Sequence, residues 1–224
     1  VQASLHNAVL HVRGDSWDAV VYDGGLHYRD ATGKLNLPLP RMPGAHQADN
    51  AALAIAMLRH QSAIHIPEAA LSAAMEWTRW PARMQLLASG PLTELLPNGS
   101  HIWLDGGHNP DAGAAIAKTL EDGPSVHVII GMLENKDAIG FLAPFAHKIE
   151  TLTALPIAGH AHHDPKDLSQ LAQSRLHIAD ARPASNVTAA LELRAAQKGP
   201  SNVLICGSLY LAGEVLRLND QVPD

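Results

Sequence analysis

One cysteine, few aromatic residues and no basic excess distinguish this 224-residue chain. The lone Cys206 excludes an internal disulfide framework and fits a reducing compartment, so a cytoplasmic protein is expected. Aromatics make up only 4% against 46% apolar residues, so the core must be built mainly from Ala, Leu, Ile and Val. Such a composition suits α/β layers better than an aromatic-rich β sandwich. The formal charge of -6 argues against nucleic acid as a partner, because a general binder would show a basic stripe. No apolar run approaches the ~20 residues needed to cross a bilayer, and no membrane partner is expected. The amino end, Val1-Gln2-Ala3-Ser4, lacks the charged start and apolar stretch of a signal peptide. It also lacks Met, as a processed product or a piece of a longer protein would. Neither Gly-x-x-x-x-Gly-Lys-Ser/Thr nor Gly-x-Gly-x-x-Gly occurs. Thr32-Gly33-Lys34 lacks the upstream glycine and the following hydroxyl residue, and reads as a hairpin turn. By itself the chain is not expected to cradle a triphosphate in the usual way.

What is present divides into two rhythms. The first forty residues read as short β elements at 8–12, 18–22 and 26–28, separated by Gly14-Asp15, Gly24-Gly25 and Thr32-Gly33 turns. A helix over 46–60 follows, with Ala52, Leu53, Ile55, Ala56 and Leu58 as its apolar face, and Pro67 opens another that ends near Trp77. The helical pattern breaks at Thr78-Arg79-Trp80-Pro81-Ala82-Arg83, which we take as the junction between a unit 1–80 and a unit 81–224. Strands and helices then alternate, as in a mostly parallel sheet covered on both faces. Strands are expected at 84–88, 101–104, 126–130, 149–152, 176–179 and 203–206, and helices near 110–121, 137–147, 165–174, 185–198 and 209–218. Pro110 and Pro165 occupy first-turn positions, where a missing N–H costs nothing.

Three of these strands end in polar, glycine-bearing turns that lead into helices: 105–110, 131–137 and 207–210. Parallel topology brings all three to one sheet edge, where open α/β sheets bind ligands. The first carries Asp105, an acceptor suited to a ribose, and His108, a donor or proton carrier. The second carries Lys136, a point charge for a carboxylate or phosphate. The third sets the Ser208 hydroxyl at a helix start, where amides favour anions. Each turn also has a plain structural reading, with Asn109, Asp137 and Ser208 simply capping the next helix. Gln47 and Asn50 lie one turn apart, an arrangement able to read a base edge, though the spacing alone favours a solvated helix start. The run Gly159-His160-Ala161-His162-His163-Asp164 offers zinc or nickel ligands, but consecutive positions rarely converge on one ion and 14 histidines are spread along the chain. A surface loop with a histidine reaching the crevice is the plainer account. Cys206, in an apolar strand, reads as a core residue. Trp80 and Arg83 suit either hinge packing and a surface charge or, for Arg83, a guanidinium that swings onto a phosphate.

The order of motifs resembles the folylpolyglutamate synthase and dihydrofolate synthase family of the Mur ligase superfamily. The matching elements are Leu37-Pro38-Leu39-Pro40 with His46-Gln47-x-x-Asn50-Ala51; Trp80-Pro81-Ala82-Arg83; Leu104-Asp105-Gly106-Gly107-His108-Asn109-Pro110; Gly131 through Lys136-Asp137; and Gly207-Ser208-Leu209-Tyr210-Leu211-x-Gly213-Glu214. They correspond to the carboxyl-terminal half of a family enzyme. The resemblance implies a Rossmann-like C-terminal domain preceded by the trailing β and helical part of an ATPase central domain, with ATP and acceptor held between. It implies that Asn50 contacts adenine, Arg83 reaches the ATP phosphates and Asp105 binds the ribose, while His108, Lys136, Ser208 and Tyr210 lie near the incoming L-glutamate. Arg83, His108 and Lys136 would be the catalytic groups. The implied reaction uses Mg-ATP to phosphorylate a pterin-linked carboxylate, and the glutamate amine then attacks the acyl phosphate. Charge on phosphoryl oxygens and on the tetrahedral carbon calls for arginine, lysine, magnesium and amide donors.

The sequence departs from the family pattern in several places. Ala82 stands where glycine is usual, Gly107 where alanine is common, and 89–100 forms a longer excursion than in many members. The resemblance also implies that the phosphate loop, magnesium ligands, modified lysine and most of the pterin site belong to sequence preceding Val1. The expectation is therefore a monomeric ligase acting on dihydropteroate or folate, with this chain inactive alone. Two alternatives stay open at this point: a stand-alone glutamate- or nucleotide-binding module, and half of a peptidoglycan-precursor ligase.

Overall fold

A computed structural model describes residues 8–197 and 199–222, so the amino-terminal signature read above lies outside the described residues. The chain forms two compact units, Val1–Trp80 and Pro81–Asp224.

In the first unit, β1 (Trp17–Tyr22), β2 (Gly25–Asp30) and β3 (Gly33–Pro38) make an antiparallel meander. Asp23 and Gly24 join β1 to β2 with φ of 48° and 72°, the doubly left-handed turn that matches strand twist. In the next turn the Asp30 carboxylate accepts from the Thr32 N–H at 2.8 Å. Helices α1 (His46–Arg59) and α2 (Glu68–Trp77) share a core with the sheet, including Leu26, Tyr28, Leu37, Ile55 and Leu71. Two sequence expectations fail here. Residues 8–12 form no strand; Val9, Leu10 and Val12 are exposed, so their apolar character is not matched by a pairing partner. Conversely, β3 follows directly from what reads as a bare Thr32-Gly33 turn, because Leu35 and Leu37 alternate into the core.

The second unit is a sheet in the order β4 (Gln85–Leu86), β5 (His101–Leu104), β9 (Asn202–Cys206), β6 (Val126–Ile130), β7 (Ile149–Ala154) and β8 (Ala181–Pro183). Only β4 runs antiparallel; the other pairings are parallel, giving the mixed α/β fold that the sequence rhythm predicts. Helices α3 (Pro110–Leu120), α4 (Ala138–Leu142) and α5 (Pro165–Leu176) share one apolar cluster with the sheet. Helices α6 (Val187–Ala195) and α7 (Leu209–Leu218) share the cluster on the opposite face. With α7 leaving β9 on one side and α3 and α4 leaving its neighbours on the other, the chain reverses direction beside β9, which opens a crevice at the strand ends.

Several elements differ from expectation. The strand expected at 84–88 shrinks to two residues, because Met84 has a φ of 42° and cannot join a ladder. The strand expected at 176–179 is absent: α5 runs to Leu176, His177 closes it at φ 58°, and the Ile178 N–H returns to the Ala172 carbonyl at 3.2 Å. The expected helix 137–147 stops at Leu142 and continues as a 3₁₀ segment, Ala143–Lys148, since Pro144 cannot donate to an α ladder. The helix expected over 185–198 spans Val187–Ala195, and position 198 lies outside the described residues.

Candidate active site

The sheet's carboxyl edge is stitched together by backbone hydrogen bonds that outlast the strands. The Asp105 N–H donates to the Ile205 carbonyl at 2.9 Å, Gly207 N–H to Gly107 at 3.1 Å, Gly131 N–H to Cys206 at 3.3 Å and Leu155 N–H to Ile130 at 2.7 Å. The turns after β5, β9, β6 and β7 therefore form one connected rim. Gly207 is needed where these turns meet: its φ is 104°, and a Cβ there would lie 2.7 Å from the Gly131 carbonyl oxygen.

Apart from Arg83, each sequence-predicted residue of the second unit falls on this rim, and most are already engaged. Asp105 is only 6% exposed; its Oδ1 accepts from the Gly107 N–H at 2.7 Å and its Oδ2 from the Met84 N–H at 2.8 Å. His108 Nδ1 bonds the Gly106 carbonyl at 3.0 Å. A carbonyl only accepts, so Nδ1 carries the proton and Nε2 keeps its lone pair in the neutral ring. Asn109 caps α3 by accepting from the Ala112 N–H at 2.9 Å, and Asp137 caps α4 by accepting from Gly140 at 2.8 Å. Ser208 is 4% exposed and accepts from the Tyr210 N–H at 3.1 Å, so the capping role holds for all three turns. Lys136, half-buried, has its carbonyl held by His163 Nε2 at 2.8 Å. Arg83 precedes β4 beside the end of β5, and among the described residues no carboxylate pairs with its guanidinium.

The histidine run becomes part of the same rim. The Glu134 N–H donates to the Ala161 carbonyl at 3.3 Å and the His163 N–H to Met132 at 3.0 Å, zipping 159–164 against 131–137. The His160 ring stacks on Tyr210, 3.7 Å between centroids. Beside them opens a cavity of about 510 Å³, lined in part by Leu155, His162, Asn186 and Glu214. Among the described residues no group of three or more His, Cys, Asp and Glu could hold a metal ion. Cys206 is fully buried under the rim, and burial, then the Asp105 charge, pushes its thiol well above the usual range.

Asn50 belongs to the first unit. There the exposed Asn50 donates its side-chain N–H to Gln47 Oε1 at 3.3 Å, confirming that the two amides share one face of α1. Gln47 itself is buried. Sequence reading passed over Gln85, whose Oε1 accepts from the Ala82 N–H at 2.9 Å, and the His163 bond to Lys136. Neither contact has a local sequence signal.

Residues 91–218 match the family model described as "Dihydrofolate synthetase, C-terminal domain". The chain belongs to the dihydrofolate synthase and folylpolyglutamate synthase family. Among the family's curated members, the Escherichia coli dihydrofolate synthase/folylpolyglutamate synthase is 29% identical over 223 residues, covering 97% of this chain and 48% of that protein. The chain thus spans about half the length of that relative. Within the family's solved structures, E. coli FolC in complex with ADP superposes with a TM-score of 0.76 at 28% identity, covering 98% of this chain and 50% of the other. A bifunctional family enzyme with Mn, AMPPNP and L-glutamate bound gives 0.75 at 25% identity, covering 96% and 48%.

Proposed function

We propose that this chain is the carboxyl-terminal portion of an ATP-dependent ligase that joins L-glutamate to dihydropteroate, to folates or to both. The observation that carries the reading is the rim itself: the family's three turn motifs converge on one edge of the sheet. On this reading Val1–Trp80 is the trailing part of the central ATPase domain and Pro81–Asp224 the C-terminal Rossmann-like domain. A monomer in the cytosol is the form proposed. The family relatives crystallised with ADP, and with Mn, AMPPNP and L-glutamate, support ATP as the nucleotide and a divalent ion beside it.

The residues divide the work by chemistry. Asn50, with a free edge on α1, contacts adenine. Arg83 holds phosphoryl oxygens through a charge-assisted fork. Asp105 faces the ribose while its oxygens also fix the turn. His108, with Nδ1 committed to Gly106, presents Nε2 as a base for the ammonium of the incoming glutamate, which must lose a proton before its nitrogen can attack. Lys136 neutralises a glutamate carboxylate, with Ser208 and Tyr210 completing that side. Magnesium neutralises charge on the transferring phosphate when bound. We assign its ligands to the part of the ligase outside this chain; among the described residues no group of three or more His, Cys, Asp and Glu could hold a metal ion.

The test is ADP release dependent on both pterin carboxylate and glutamate, measured for the 224-residue chain and for the complete reading frame that encodes it. Turnover is expected only from the complete protein. Turnover by the chain alone would overturn the half-site reading. A complete protein that accepts muramyl substrates instead of pterins would move it to the peptidoglycan ligases. Tight glutamate or ATP binding by a complete protein that never turns over would identify a binding module.

A further inference from the structure

Arg83 stands between two residues in the left-handed region, Ala82 at φ 55° and Met84 at φ 42°, and neither is glycine. Each such residue costs on the order of 1–2 kcal/mol and persists only where its surroundings over-determine it. Several of the restraints can be named. The Ala82 N–H donates to Gln85 Oε1 at 2.9 Å, and the Ala82 carbonyl accepts from the Gly106 N–H at 2.8 Å. The Met84 N–H donates to Asp105 Oδ2 at 2.8 Å. Ala82 and Met84 are both buried, one in each face's apolar cluster, so the turn is also wedged sterically. Asp105 is anchored in turn, its N–H in the ladder with Ile205 and its Oδ1 on the Gly107 N–H. Gln85 is anchored by its strand pairing with Leu104.

We propose that Gln85 and Asp105 are positioning residues that hold the strained Ala82–Met84 turn, so that the Arg83 backbone is fixed before a phosphate arrives. This rests on the proposed contact between Arg83 and the nucleotide. Asp105 thereby acquires a second task beside the ribose, and Gln85 a first one. The chemical logic is preorganisation. A guanidinium fork binds a tetrahedral phosphate through paired hydrogen bonds, and a misplacement of about 1 Å loses much of that. A flexible turn would have to be ordered at the moment of binding; a turn already held in a strained but unique conformation does not.

Two measurements test this. In the complete ligase, Arg83→Ala tests the nucleotide contact and Gln85→Met tests the positioning, since methionine keeps the size and removes the acceptor. Gln85→Met is expected to raise KM for ATP about tenfold, the loss of roughly one hydrogen bond, with the glutamate KM unchanged. Gln85→Glu, which keeps an acceptor oxygen, should restore most of the affinity. If Arg83→Ala raises KM for ATP and Gln85→Met does not, the positioning role is wrong. If Arg83→Ala leaves it unchanged, the nucleotide reading fails and takes this proposal with it. In the 224-residue chain alone, trypsin should cut the Arg83–Met84 bond several-fold faster in Gln85→Met and Asp105→Asn than in wild type, with cleavage after Arg29 unchanged as the control. Equal rates at Arg83 would show that these side chains do not hold the turn.

Discussion

The imidazole of His160 lies on the phenol ring of Tyr210, with centroids 3.7 Å apart and planes inclined by 25°. This contact joins the loop after β7 to the first turn of α7, two segments separated by some fifty positions in the chain. Aromatic pairs contribute about 0.5–1.5 kcal/mol beyond area burial. His160→Ala is therefore expected to loosen the loop without unfolding the sheet. Amide exchange at 159–164 should rise several-fold while β6 and β9 stay protected. Unchanged exchange in the loop would mean that the stack contributes nothing.

A second expectation concerns acid. Arg59 donates to both Asp30 oxygens, at 2.7 and 2.8 Å, and to Thr32. The Asp30 side chain is only 2% exposed, and the guanidinium chiefly, with help from Thr32, holds its carboxyl well below the usual range. Burial and the Asp30 charge push the neighbouring Tyr28 hydroxyl in the opposite direction. A carboxyl depressed on folding contributes stability at every pH above its unfolded value of about 3.9, and loses it as pH falls through the lower folded value. Asp30→Asn should therefore flatten the decline in first-unit stability below about pH 4. Arg59→Ala strands a buried carboxylate and should cost ~3 kcal/mol at neutral pH. Urea titrations followed by circular dichroism, with amide exchange in β2 as the local probe, decide both. A wild-type acid slope retained in Asp30→Asn would assign that slope to other carboxyls.

Ala82 offers a gain in stability. Its φ of 55° suits glycine, the residue usual at this place in the family resemblance. Ala82→Gly removes the left-handed penalty and adds chain entropy to the unfolded state, leaving a net gain of about 0.5 kcal/mol. A denaturation midpoint that falls in the glycine variant would show that the buried Ala82 methyl outweighs the strain.

Cys206 should be silent. With the thiol fully buried and its ionisation disfavoured, a disulfide reagent at pH 8 should label it only after denaturant is added. Stoichiometric labelling of the native protein within minutes would contradict the packing beneath the rim.

Much of the second unit was legible because its signals are local. Asn109 followed by Pro110 announces a helix start, and the apolar 126–130 and 203–206 segments announce buried parallel strands. The errors fall where a distant partner decides. Met84 and Leu87 look like parts of one strand, yet Met84, its N–H held by the carboxylate of Asp105, turns out of the ladder at a φ of 42°. Leu176 and Ile178 look like a strand, yet both pack into the apolar cluster from a helix end. At the rim, residue types revealed a ligand corner but not its wiring. That Asp105 spends both oxygens on backbone amides, and that His163 holds Lys136, depends on which strands become neighbours.

Strand order also sets when the rim can exist. β9, last of the described strands to be synthesised, lies between β5 and β6, which do not otherwise pair with each other. While residues before 200 emerge from a ribosome, β5 has only the two-residue β4 beside it, and β6 exposes an edge awaiting a partner. Such non-local pairing is slow, and it leaves apolar strand edges open to other chains until Cys206 is out. The β5 and β6 parts of the second unit can thus join only once β9 is made, and a chain stalled before β9 is expected to be the form most open to association with other chains.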